Sequence, residues 1–158
     1  MPVLSGGVIP AAGEVVCEEM YFAQAANNTG GTYTASVTVP ADSWLIDIIV
    51  YGQALWNSVT SAVLKIGDAS TTDGYYVGVD LKATDLLVDE TLSFDNPGGK
   101  EGAYIVSATG LRNKMWASTE RVITGVVTEA TTTVAAAGKT RVLVVYSTTS
   151  NAGNAVFA

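Results

Sequence analysis

Histidine is absent from all 158 residues, and with it go the usual neutral-pH proton shuttle, the Ser–His and Cys–His nucleophile pairs and imidazole metal ligands. Cys17 is the only cysteine, so the chain closes no internal disulfide and builds no thiolate-rich zinc or iron–sulfur site. Positive charge is scarce, with 8 Lys and Arg against 15 Asp and Glu and a formal net charge of −7. Such a field repels phosphate backbones, and no nucleic-acid partner is expected. No window approaches the roughly 20 apolar residues that span a bilayer. The opening "MPVLSGGVIPAAGE" has neither the basic start nor the apolar stretch of a secretory signal. The expectation is a chain made in the cytoplasm, with no membrane partner. Gly-x-Ser-x-Gly elbows, phosphate-cradling loops and HExxH are missing as well, so neither an enzyme nor a cofactor is expected.

What is present is β-forming. Short segments rich in Val, Ile, Thr, Tyr and Trp alternate with Gly, Asn and Asp turn signals. They predict strands over 14–24, 32–39, 44–53, 62–68, 75–81, 91–94, 103–108, 120–129 and 140–148. The fold class is all-β: a two-sheet antiparallel sandwich, jelly-roll-like, with at most one or two short helical turns. Those turns fall in "DLKATDLLVDE" (80–90), where Asp80 or Thr84 can cap. The predicted organisation is an extended N-terminal arm over 1–13, a sandwich domain over 14–149 and a tail over 150–158.

Several clusters invite a chemical interpretation. Asp68, Ser70, Thr72 and Asp73 crowd the loop "GDASTTDGYY", but their spacing departs from the helix-loop-helix calcium pattern, and a turn held by Asx-type hydrogen bonds needs the same residues. No metal is expected. Glu18 and Glu19 are adjacent, so a strand points them to opposite faces and away from a shared substrate bond. Trp44, Trp56, Tyr75, Tyr76 and Trp116 are the candidates for a sugar-stacking platform. Trp44 sits in an apolar run that favours core or interface burial, and a strand splits Tyr75 and Tyr76 between faces. Arg112, Lys114 and Arg121 gather three of the eight basic side chains around Trp116, either as a contact patch for a partner or as a solvated loop. Cys17, in "VVCEEMYF", is expected to behave as a small buried hydrophobe.

Three segments break the alternation of a half-buried strand: "WLIDIIVY" (44–51), "RVLVVY" (141–146) and, less strongly, "RVITGVV" (121–127). In the first, seven of eight side chains are apolar or aromatic. A sandwich strand needs one apolar face, not two. The surplus face can be covered by a segment of the same chain, such as 1–13 or 80–90, or by another subunit; assembly is the expected answer, with Trp44, Leu45, Ile49, Tyr51, Leu143 and Val145 as the subunit interface. Covering ~400 Å² of such surface is worth on the order of 10 kcal/mol before association costs.

The series "TVPAD", "VYGQALW", "LKIGDAS", "DGYYVGVDLKATDLL" and "RVITGVVT", spread over residues 30 to 148, resembles small virion structural proteins of tailed bacteriophages, and is similar to capsid decoration or cement proteins. The resemblance implies a non-enzymatic component of the virion's outer capsid surface, made in the host cytoplasm. Its implied partners are itself, as a dimer or trimer, and the major capsid protein, reached through Arg112, Lys114, Trp116 and Arg121. A tail component (tube, fibre or baseplate module) and a host-glycan-binding β-sandwich module are the alternatives.

Overall fold

The computed structural model describes residues 14–26, 30–106, 111–131 and 136–148. The predicted arm, the tail and residues 107–108 of the seventh predicted strand lie outside them. Nine strands are present among the described residues: β1 (Val15–Ala23), β2 (Gly31–Val39), β3 (Ser43–Ala54), β4 (Ser61–Gly67), β5 (Tyr76–Asp80), β6 (Thr91–Leu92), β7 (Trp116–Ala117), β8 (Arg121–Ala130) and β9 (Lys139–Thr148). They form two antiparallel sheets. One runs β1-β9-β3-β6, with β7 also on β3, and the other runs β2-β8-β4-β5. The chain crosses between layers after most strands, which is the connectivity of a jelly roll.

Between the layers lies one apolar core. Met20, Ile48, Val50, Val142 and Val144 from the five-stranded sheet meet Leu64, Ile66, Ile123 and Val127 from the four-stranded sheet, all essentially inaccessible to solvent. Gly125 leaves the space this requires, since a Cβ there would lie 2.8 Å from the Phe22 ring. One end of the sandwich is closed by a buried polar cluster. Gln24, Ser58 and Tyr33 all donate to the Glu129 carboxylate, while the Gln24 amide oxygen accepts from the backbone N–H groups of Asn57 and Gly138. The Glu129 carboxylate and both ends of the Gln24 amide, which folding removes from water there, are thereby hydrogen-bonded.

The run "WLIDIIVY" has a local explanation. β3 and β9 stay in register from Trp44 to Leu45, slip, and resume at Asp47. Ile46 is the extra residue of a β-bulge. The insertion changes the parity of the strand, so Leu45, Ile48 and Val50 all face the core while Ile46 is exposed. Leu45 is 3 % exposed, which corrects its expected place in a subunit interface: it belongs to its own core.

Two expected elements differ. Residues 103–105 form a turn instead of a strand, with the Ile105 N–H bonded to the Gly102 carbonyl at 2.9 Å. Within 80–90 no helix forms. Turns fill the segment, and Asp80 accepts from the Lys82 N–H at 2.8 Å, as a cap would.

Candidate interaction surface

The outward side chains of the five-stranded sheet follow from its register. Reading across β1, β9 and β3, the outward rows are Val15–Ser147–Trp44, Cys17–Val145–Asp47, Glu19–Leu143–Ile49 and Tyr21–Arg141–Tyr51. β7 extends the first row, because Trp116 is the register partner of Trp44. The two indoles are 52 % and 45 % exposed, side by side on one edge of the sheet.

The rows differ in chemistry. At the Tyr21 end, Arg141 donates to both Glu19 carboxylate oxygens at 2.8 Å and to Gln53 at 3.0 Å, and lies 5.0 Å from the Tyr21 ring centroid. Tyr51 donates to Asp89 at 2.7 Å, a bond to a carboxylate that raises its phenol above the usual range. At the other end Val15, Cys17, Trp44, Ile46, Val145 and Trp116 reach solvent wholly or in part. The only charge in those two rows is Asp47, whose Oδ1 accepts from the Ile48 and Phe94 N–H groups, both at 2.8 Å. The Tyr21 end of this face is thus hydrogen-bonded and polar, the Trp44 end is apolar with two tryptophans, and Leu143 and Ile49 lie between them.

Trp116 is held in place from beneath. The Arg121 guanidinium, 8 % exposed, donates to the backbone carbonyls of Lys114, Met115 and Ser43. It clasps β3 to the segment carrying Trp116. Three carbonyls on one fixed fork are a use for which arginine is better shaped than lysine. Tyr75 donates to the same Lys114 carbonyl at 3.2 Å, and burial pushes its phenol up to about 12, against the lowering influence of Arg121. Arg121 is therefore a structural residue, which corrects its expected role as an outward contact. Arg112 pairs with Asp95 and lies 5.5 Å from the Phe94 ring centroid; Lys114 is exposed at φ 58°. Beside them a cleft of about 550 Å³ is lined by Asp68, Ser70, Lys114, Trp116 and Glu120.

Other aromatic expectations change. Tyr75, Tyr76 and Trp56 are buried in the core, so three of the candidates for a sugar platform face inward. Tyr75 and Tyr76 escape the split between faces because Tyr75 precedes β5, and β5 pairs with β4 through a register shift between Leu64 and Ile66. Cys17 is exposed, not buried. The loop at Asp68 is an Asx-type turn, its carboxylate accepting from the Ser70 and Thr71 N–H groups at 2.9 Å and from the Tyr104 hydroxyl at 2.9 Å.

No protein-family model matches the sequence, and no curated protein matches it. Among solved structures, a chain of the cyanophage Pam1 capsid asymmetric unit aligns over 93% of this chain and 94% of its own length, with a TM-score of 0.53 and 19% identity. The fold is shared with a phage capsid chain. A chain of the acid-stable capsid of Helicobacter pylori bacteriophage KHP30 aligns over 87% of this chain and 90% of its own, with a TM-score of 0.49 and 17% identity. At such identities the likeness concerns architecture, and what the face does must be argued from its side chains.

Proposed function

We propose that this chain is a non-enzymatic structural component of a phage virion, a decoration or cement protein that binds the outer face of the major capsid protein shell. One observation carries the proposal: on a fold shared with a capsid chain, the five-stranded sheet turns Trp44, Ile46, Val145 and Trp116 outward. Contiguous apolar surface on a soluble chain marks a protein contact. Sister subunits, in a dimer or trimer, cover Trp44, Ile49, Leu143 and Val145, and Tyr51 lies at the margin. The shell protein meets Arg112, Lys114 and Trp116 beside the cleft. The net charge of −7 suits an exterior position, because a chain lining packaged genome gains by carrying the opposite sign.

Two measurements test this. Labelled chain located in images of the intact particle is expected on the outer head surface; label confined to the tail overturns the decoration role in favour of a tail module. In the second, Val145→Asp places a carboxylate among the apolar rows, and its affinity for a sister subunit is expected to fall more than about tenfold. Thr128→Asp, on the exposed outer side of β8, is the control and retains binding. Equal binding by the two variants overturns the assignment of the face.

A further inference from the structure

Among the described residues five strands end the two sheets, and four of them carry a feature that discourages pairing with another chain; β7, for one, is two residues long. β1 has Glu18 and Glu19 at its middle. β5 is five residues long, with Gly78 at φ 65° and an irregular register. β6 has two residues. Charge, shortness and bulging are the devices that protect exposed edges. β2 has none of them. Over Gly31–Val39 it carries no charged residue and no proline, and it pairs with β8 through nine consecutive register partners without a shift. On its other side it has no strand partner among the described residues.

We infer that β2 is a second self-association site, at which two copies of this chain pair their β2 strands antiparallel about a two-fold axis through Ala35. The sequence of the strand is what selects a second copy. Folding it back on itself at its central residue sets Thr34 opposite Ser36, Thr32 opposite Thr38 and Tyr33 opposite Val37. Hydroxyl pairs and an aromatic–β-branched pair are favourable cross-strand neighbours, and no like charges meet. The same operation on β1 sets Glu19 opposite its own copy, so that edge does not self-pair. Thr32, Thr34, Ser36 and Thr38 are all exposed, and the joined sheets present one continuous surface of eight strands with the hydroxyls of the two β2 strands at its centre. This contact is isologous, and it is separate from the apolar face of the other sheet, so neither proposal depends on the other.

The test is made on the full chain carrying V145D, which removes the face contact, by sedimentation over a range of concentrations with circular dichroism as the check on folding. V145D alone is expected to sediment as a dimer. T34D/S36D added to it sets carboxylates directly opposite one another and halves the mass, while T34D/S36K sets opposite charges across the same pairs and restores the dimer. A folded V145D monomer overturns the proposal. So does a dimer that T34D/S36D leaves intact, which would place another segment or another surface in the contact. Failure of T34D/S36K to restore what T34D/S36D removes overturns the two-fold register.

Discussion

Along β9 the outward side chains are Arg141, Leu143, Val145 and Ser147; along β2, in the opposite layer, they are Thr32, Thr34, Ser36 and Thr38. Both strands put apolar residues into the shared core, so the fold makes the same demand on each. It makes no demand on the outward positions beyond strand propensity, and threonine satisfies that while remaining hydrated. β2 uses a hydroxyl side chain at every one of these positions. The five-stranded sheet instead keeps valine, leucine, isoleucine and tryptophan where hydroxyls would serve the fold equally well. The four-stranded sheet does expose Val77 and Val122, but its outer surface contains no tryptophan among the described residues. The difference is one that stability of the single chain does not require.

Breaking the clasp under Trp116 is the severest test of that contrast in the isolated chain. Arg121→Met retains most of the buried length of the side chain but removes three charge-assisted bonds, at the Ser43, Lys114 and Met115 carbonyls, of which Lys114 keeps the Tyr75 hydroxyl and Met115 the Leu45 N–H. Bonds from a charged donor are worth more than neutral ones, and the expected loss is about 3 kcal/mol in denaturant unfolding. The release should also show in tryptophan fluorescence as a red shift, because Trp116 loses its anchored position beside Trp44. Thr128→Asp on the other outer face is expected to change stability by less than about 0.5 kcal/mol. If Arg121→Met costs no more than the control, the apolar face does not depend on a support reaching across from β8.

Some of this was legible from residue order and some was not. In "TYTASVTV" strict alternation assigns both faces, and the structure buries Val37 and Val39 while exposing every threonine and the serine. "WLIDIIVY" is apolar at both parities, and a bulge that moves Leu45 inward and Ile46 outward leaves no local mark in such a run. Cys17 shows the same ambiguity: in "VVCEEMYF" either parity holds a mixture of apolar and charged residues, and only pairing with β9 settles which set faces inward. β7, two residues long, is too short to have a period. The burial of Arg121 depends on carbonyls that the chain brings from positions 43, 114 and 115, a juxtaposition that no sequence window contains.

The interior common to both faces can be probed with alkali. Burial raises the phenols of Tyr75, Tyr76 and Tyr146, with the bond to Glu18 also contributing at Tyr146, and Tyr75 reaches about 12. A phenol held above its unfolded value near 10 is favoured protonated in the folded chain. Its stabilisation is therefore complete below pH 10 and is lost as pH rises through about 12. Unfolding followed at fixed temperature should show a flat stability to pH 10 and a steep fall beyond it, with late tyrosinate absorbance rising in step. Tyr75→Phe should reduce the alkaline loss by roughly 3 kcal/mol. A linear fall beginning well below pH 10 would locate the alkaline sensitivity outside the core.

The mildest effect to measure is on Cys17, which lies in the row with Val145 and Asp47 and is exposed in the single chain. It reacts with a disulfide reagent through its thiolate, and only where the reagent can reach it. In V145D, with the face uncovered, labelling should proceed at the rate of an accessible cysteine; in the assembled wild-type protein it should be roughly tenfold slower, since burial of Val145 against a neighbour closes the row beside it. The Thr128→Asp variant, altered on the other outer face, should show the wild-type rate. If labelling is as fast in the assembled protein as in V145D, the covered region stops short of β1, and the contact is confined to the tryptophan end around Trp44 and Trp116, where the sheet carries its largest exposed side chains.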